Sequence, residues 1–173
     1  MRGWALAESG QGEEGITQIH QGLAAYQATG ATANRPYYLS LLAKVSAKMG
    51  QLTGGLEALT EALTTVAKSR VRWWEAELYR LRGELLLQHA VAPPREAEAC
   101  FQQALDIARR QQAKSLELRA AMSLSRLWQR QGKRETAQQL LAEVYGWFTE
   151  GFDTADLQEA KVLLEELAGR GQA

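Results

Sequence analysis

Apolar side chains recur along the chain at intervals of three and four residues, the spacing of one face of an α-helix. In the segment from Arg95 to Ala137 this spacing occurs twice. Ala97, Phe101 and Ala104 stand at offsets 0, 4 and 7, and Ala137 begins the same offsets again. Alternating runs of Val, Ile and Thr, which would indicate strands, are missing. The pattern therefore predicts an all-α chain.

The periodic segments and the breaks between them predict four antiparallel helix pairs followed by one single helix. Pro36 and the adjacent Pro93 and Pro94 stand where helices begin, a position at which proline is tolerated. We expect the last helix to cap the apolar face of the fourth pair, and the end of the chain to fray. The predicted bounds are 1–9 with 12–29, 36–49 with 52–68, 71–89 with 94–112, 115–131 with 134–148, then a cap at 155–168 and a frayed tail at 169–173.

The same residue types return in each predicted pair. A small residue begins each second helix at spacings of 40, 42 and 40, and a large apolar residue follows it four positions later. Small residues let two helix backbones approach closely, and a glycine before them can end the first helix. The small residues are Gly15, Gly55, Ala97 and Ala137, the large ones Ile19, Leu59, Phe101 and Leu141, and the glycines Gly10, Gly50 and Gly132, with Gly3, Ala43, Gly83 and Ser125 as small residues of the first helices.

This arrangement resembles the tetratricopeptide repeat (TPR), a helix pair that stacks into a superhelix. Ala97, Phe101 and Ala104 match its second helix, and Tyr79 and Gly83 in "YRLRGELLL" match part of the first. Three features depart from the standard pattern. The period is 40–42 residues, glycine replaces alanine at Gly15 and Gly55, and the repeat-ending proline is missing. The resemblance implies a right-handed α-solenoid, one domain over residues 1–168 with units of about 1–30, 36–68, 71–112 and 115–148.

Helices of this length resemble the TPR-like sensor regions of large bacterial signalling ATPases and transcriptional activators. The segments "WWEAELYRLRGELLL" and "YGWFTEGFDTADLQEAKVLLEEL" are similar to C-terminal repeats of bacterial proteins that join an ATPase to an adenylate or guanylate cyclase domain. The first predicted helix is short. It indicates either a piece of a longer array or an N-terminal face that a second copy covers in a homodimer.

Charge and cysteine usage exclude several classes of function. Lys+Arg and Asp+Glu number 20 each, a balance that argues against a general nucleic-acid binder. No apolar run reaches the 18 residues of a membrane span, so we expect a cytoplasmic protein with neither nucleic acid nor membrane as partner. The lone Cys100 and the distant His20 and His89 form no metal-ligand pattern.

Motifs that carry catalysis are also missing. The sequence has no phosphate-binding loop, no glycine-rich turn after a predicted strand and no nucleophile elbow. Cys100 precedes the packing residue Phe101, and we interpret it as a small residue at a helix contact. We therefore expect no enzyme activity, no catalytic residue, no metal and no cofactor.

The tryptophans give a more specific expectation. Adjacent helical residues point about 100° apart, so of Trp73 and Trp74 one should be buried and the other exposed or lining a groove. Trp128 should lie in the core. Trp147 should pack under the capping helix with Tyr145, Phe148 and Phe152.

The resemblance implies that the first helix of each pair lines a concave groove. Arg119, Arg126 and Arg130 stand at offsets 0, 7 and 11 and predict a cationic stripe, with Lys44 and Lys48 as a shorter one. Guanidinium groups hold carboxylates bidentately, so the stripe would suit an acidic protein segment. The alternative is a solvated face balanced by neighbouring Glu. The candidate partner-binding residues are Tyr37, Ser40, Lys44, Lys48, Trp73, Glu77, Arg80, Glu84, Arg119, Met122, Arg126 and Arg130.

These observations predict a non-catalytic scaffold that presents its groove to a peptide or a partner domain, as the regulatory region of a larger bacterial signalling protein. Two alternatives remain open. One is a small-molecule-sensing superhelix that controls an attached ATPase or cyclase. The other is a module that self-assembles through its first helix.

Overall fold

The structure is a computed structural model, and it describes residues 2–69, 71–89 and 92–169. Every regular element within these residues is an α-helix, which confirms the all-α prediction. The helices are α1 (Arg2–Glu8), α2 (Gly12–Ala28), α3 (Arg35–Lys48), α4 (Leu52–Lys68), α5 (Glu75–Gln88), α6 (Pro94–Arg110), α7 (Lys114–Arg130), α8 (Arg134–Tyr145) and α9 (Ala155–Leu167).

Two predicted helix bounds are wrong by several residues. The helix predicted over 71–89 begins only at Glu75, because a turn closed by the Glu75 N–H and the Arg72 carbonyl precedes it. The helix predicted over 134–148 ends at Tyr145, before Gly146. The frayed tail was predicted at 169–173, and its residues after Gly169 lie outside the described part of the chain.

The helices stack in two rows. The odd-numbered helices form an inner row, in which each contacts the next odd-numbered helix. The even-numbered helices form an outer row in which, within the described part of the chain, backbones do not approach one another, although Arg109 of α6 and Glu143 of α8 form an ion pair at 3.7 Å. Because the inner helices approach more closely than the outer ones, the stack curves with the inner row on its concave side. The last helix, α9, packs on both α7 and α8 and so continues the inner row as the first helix of a fifth pair would.

The repeated small residues are the points where paired helices touch. A Cβ on Gly15 would lie 2.6 Å from the Gly3 carbonyl oxygen, so α1 and α2 cross at van der Waals contact. Ala97, Phe101 and Ala104 have no exposed surface in the third pair. These contacts confirm that the repeat pattern consists of packing residues.

Glycine follows the end of the first helix in three of the pairs, as predicted. Gly10, Gly50 and Gly132 have φ angles of 91°, 73° and 79°, in the left-handed region that residues with a side chain rarely adopt. The chain can therefore reverse direction within a few residues. This tight reversal keeps the two helices of a pair antiparallel.

Helix α5 joins two parts of the core. Leu78, Leu81 and Leu85 pack in an apolar cluster that extends back to α2. On its other side, Tyr79 and Leu86 pack against a second cluster that extends to α9. The inner helices are thereby held in a continuous row, whose exposed side forms the candidate site.

Candidate functional site: the concave groove

A cavity of about 530 Å³ opens between the inner helices α1, α3, α5 and α7. A smaller cavity of about 210 Å³ lies between α5 and α7 and shares Glu84 and Gln88 with the first. Because the two cavities join at these residues, we call them together the groove. The larger one is lined by Trp4, Glu8, Tyr37, Leu41, Lys44, Ala47, Lys48, Trp74, Arg80, Leu81, Glu84, Leu85, Gln88 and Arg119.

Most of the residues that the sequence predicted for the site do line the groove. They come from three different helices, and the stacking of the inner row brings them together. Trp73 lies at the edge, 47% exposed, with its ring 6.0 Å from that of Tyr37. The predicted residues that line the groove are Tyr37, Lys44, Lys48, Arg80, Glu84, Arg119, Arg126 and Arg130.

Three predicted site residues are not accessible from the groove. Ser40, Glu77 and Met122 are 0%, 1% and 3% exposed, respectively. Ser40 accepts a hydrogen bond from the Trp74 indole N–H at 2.9 Å, and Met122 belongs to the apolar core. Their helical positions turn toward neighbouring helices instead of the open face, which corrects the prediction for these three.

A buried carboxylate lies below the floor of the groove. The Arg80 guanidinium donates from Nε to Glu77 Oε2 at 2.7 Å and from Nη2 to Oε1 at 2.9 Å. Lys44 Nζ, from α3, is 3.2 Å from the same Oε1. Burial raises the pKa of Glu77, but the hydrogen bonds from Arg80 and the charges of Arg80 and Lys44 outweigh it and hold that pKa below its usual value. Glu77 is therefore a fixed anion that joins α3 to α5.

Polar contacts connect every successive pair of inner helices. Lys48 of α3 donates to Glu8 of α1 at 2.5 Å, and Lys44 reaches Glu77 of α5. The Ser123 hydroxyl of α7 donates to Glu84 of α5 at 3.0 Å. A row of polar contacts therefore crosses the groove, and in its ion pairs each cation is balanced by a carboxylate.

The same contacts change the picture of the cationic stripe. Arg119 Nε donates to Asp156 at 2.7 Å, and Arg126 Nη2 donates to Glu159 at 2.6 Å, so α9 supplies two carboxylates to α7. Arg130 has no ion pair within the described residues. The stripe is therefore largely balanced by acidic side chains, as the alternative interpretation holds, and the fully cationic surface expected from the sequence is corrected.

One end of the groove is aromatic. The rings of Tyr37 and Trp74 meet edge to face at 5.3 Å, and those of Trp73 and Trp74 are 5.1 Å apart. Trp74 is partly buried and Trp73 is exposed, the division that was expected, but both lie in the turn before α5, so the 100° spacing of a helix is not its cause. Trp4 of α1 also lines this cavity and was missed, although it stands one 40-residue period before Lys44 and the repeat register could have revealed it.

The expectations for the other two tryptophans were only partly right. Trp128 lies at the edge of the core, where its indole N–H donates to Glu98 at 2.7 Å. Trp147 is 59% exposed and does not pack under α9, which corrects that prediction. Because α8 ends at Tyr145, the following turn carries Trp147 outward, with Lys114 Nζ 5.4 Å above its ring.

Residues 2–69, 71–89 and 92–169 contain one cysteine and no arrangement typical of a metal site. Burial raises the pKa of the half-buried Cys100 thiol, a change opposite to the one that activates a nucleophilic cysteine. No group of three or more His, Cys, Asp or Glu side chains in these ranges is arranged to hold a metal ion. None of their helices combines the length and apolar character that a membrane crossing requires.

Comparison with known proteins bears on the fold. No family model matches the sequence. A curated relative, an uncharacterised protein of Rhizobium meliloti (strain 1021), is 29% identical over 126 residues, which make up 72% of this chain and 12% of that protein. The chain thus spans a small fraction of the relative's length.

Two crystal structures of nearly identical TPR-like repeats, from a Podosopora anserina protein assigned as a kinesin light chain, match the whole stack. Their TM-scores are 0.72 and 0.71 at 17% and 18% identity, over 98% of this chain and 84% and 85% of theirs. The chain therefore has the TPR-like α-solenoid fold that the repeat pattern predicted.

Proposed function

We propose that this chain is a non-catalytic scaffold that binds a peptide or a partner domain in its concave groove. The observation that carries the proposal is the groove itself, a continuous depression across four inner helices with an aromatic end and a charged floor. Exposed aromatic and arginine side chains in a preformed depression are the usual anchors of protein interfaces. Trp73, at 47% exposure, and Arg130, without an ion pair among the described residues, are two such side chains at the groove.

A place within a larger bacterial signalling protein is part of this proposal. The match to a Rhizobium meliloti protein over only 12% of its length supports it, because the relative carries this repeat segment as a small part of a long chain. The contacts between successive inner helices support a regulatory role, since a partner bound to one helix would also affect its neighbours. Sequencing the gene on both sides of this segment tests the context directly, and a neighbouring ATPase or cyclase domain is the expected result.

The binding face can be tested with a matched pair of charge reversals. Arg130 and Arg110 are each the last residue of a helix, but Arg130 lines the groove on α7 whereas Arg110 lies on the outer helix α6. We expect Arg130→Glu to abolish cross-linking to the native partner in cells, and Arg110→Glu to leave it unchanged. If the Arg130 variant is folded and retains every cross-linked partner, the proposal is contradicted.

Self-association through the first helix pair remains a separate prediction. A cavity of about 470 Å³ between α1, α2 and α3 is lined by apolar residues such as Ile19, Leu23 and Leu41. An apolar depression of this kind supports contact with another surface. Sedimentation at several protein concentrations tests it, and a constant monomer mass would contradict it.

A further inference from the structure

The groove differs in chemistry from the cavity of the first helix pair. The cavity between α1, α2 and α3 has a single charged lining residue, Arg2. The larger groove cavity is lined by four cationic side chains, Lys44, Lys48, Arg80 and Arg119, and by only two carboxylates, Glu8 and Glu84. Each of the four cations also has a carboxylate partner, since Glu77 below the floor pairs with Lys44 and Arg80, Glu8 pairs with Lys48, and Asp156 pairs with Arg119. An anionic ligand would therefore bind to the donors that these pairs leave free.

Two of these cations retain donors that can face a ligand. Arg119 is bound to Asp156 through Nε, and its terminal nitrogens have no hydrogen-bond partner within the described residues. Lys44 lies 3.2 Å from Glu77, whose carboxylate is already held by Arg80. Lys44 and Arg119 are 34% and 33% exposed. Both side chains line the same cavity, and a carboxylate that bound to their free donors would leave the Arg80–Glu77 pair intact.

The same cavity has a rigid aromatic wall. Trp74 is held by its hydrogen bond to Ser40, and the Tyr37 ring packs against it at 5.3 Å. Trp4 of α1, 37% exposed, lines the same cavity. Rings that are fixed before binding give up little conformational entropy when another ring packs against them. The volume of about 530 Å³ lies within the range of small-molecule sites.

We propose that this cavity binds a small aromatic carboxylate, with its planar ring against Tyr37 and Trp74 and its carboxylate on Lys44 and Arg119. Charge-assisted hydrogen bonds from two cations fix the anion, and the aromatic wall selects a flat apolar group. This inference goes beyond the scaffold function, which requires no small ligand. A bound molecule would occupy part of the surface that a protein partner would contact.

Isothermal titration calorimetry on the full chain tests the proposal with benzoate, phenylacetate and indole-3-acetate as probes. Indole-3-acetamide serves as the neutral counterpart and acetate as the anion without a ring. We expect saturable binding of at least one aromatic acid, about tenfold weaker binding of the amide, and no saturation with acetate. Equal affinity for acid and amide, or no binding of any aromatic acid at about 1 mM, would overturn it.

Single substitutions show whether the aromatic acid binds at Lys44 and Arg119. Lys44→Met and Arg119→Gln should each weaken binding of the acid about tenfold. Lys161→Gln, on the exposed side of α9, should not change it. Circular dichroism confirms that each variant is folded, and an equal loss in the Lys161 variant contradicts the assignment. Partner cross-linking without probe binding overturns this inference alone, whereas probe binding with partner contacts insensitive to Arg130→Glu overturns the scaffold proposal alone.

Discussion

The ring of Phe101 in α6 lies directly against Gly83 in α5. A Cβ on Gly83 would stand 2.5 Å from Cε1 of Phe101, closer than two non-bonded carbon atoms approach. Phe101 itself has no exposed surface and cannot swing into solvent. Because α5 and α6 are the two helices of one pair, this contact sets their separation, and with it the position of α5 in the floor of the groove.

Gly83→Ala should therefore destabilise the protein. Overpacking a core costs about 1–3 kcal/mol, and the better helix propensity of alanine returns at most about 1 kcal/mol. We expect a net decrease in the free energy of unfolding, measured by urea titration. Gly22→Ala is the control, since its Cβ would meet nothing within 4 Å, and it should stabilise by about 0.5–1 kcal/mol. Equal stabilisation by both substitutions would show that the Gly83 contact is loose.

The Glu77 network should make stability depend on acid pH. The pKa of Glu77 in the folded chain is lower than the usual 4.5 of an unfolded chain, so the carboxylate stabilises the fold above that value. This contribution is lost as the pH falls through the lowered pKa. We expect the free energy of unfolding, measured by urea titration, to decrease as the pH falls below about 4.5.

Substitution isolates the contribution of this residue. Glu77→Gln leaves Arg80 and Lys44 without their buried anion and should cost about 3–5 kcal/mol at pH 7. The variant should also lose less stability than the wild type on acidification. The exposed Glu57→Gln is the matched control, with a change below about 0.5 kcal/mol. Parallel pH profiles for the wild type and the Glu77 variant would refute the assignment.

The Trp74–Ser40 hydrogen bond should hold the aromatic end of the groove in place. Ser40→Ala removes the acceptor of a partly buried indole N–H and should lower the free energy of unfolding by about 0.5–1.5 kcal/mol. The indole N–H resonance of Trp74 should shift in the NMR spectrum. Ser115→Ala, at an exposed position of α7, should change neither quantity. An unmoved Trp74 resonance would exclude the hydrogen bond in solution.

Two adjacent residues of α9 test how that helix is attached. Leu163 is 3% exposed within the second apolar cluster, whereas Val162 is 53% exposed. Leu163→Ala should cost about 2–5 kcal/mol through lost burial and the cavity it leaves. Val162→Ala should stay within about 0.5 kcal/mol of the wild type. Thermal unfolding of both variants measures these changes in stability. Comparable losses of stability in the two variants would mean that α9 does not pack as described.

Much of the fold could be predicted because its determinants are local. The spacing of Ala97, Phe101 and Ala104 identifies one buried helix face, and all three residues have no exposed surface. Small residues at each helix crossing are required by the close approach of two backbones, so their period of about 40 residues reveals the pairing. Helix ends were less predictable, because hydrogen bonds such as that from Glu75 to Arg72 decide them.

The amino-acid sequence alone determined the helices, the pairing and the identity of the inner helices, since short-range periodicity dictates which faces must be buried. Only the tertiary structure decided which inner-helix residues are accessible and which charges are already paired. Arg119 meets Asp156 across 37 positions of the chain, and Lys48 meets Glu8 across 40. A side-chain ion pair forms only within a few ångströms, so it depends on how far each helix pair is rotated against the next. That rotation comes from the packing of many side chains at once, and no single residue pattern records it.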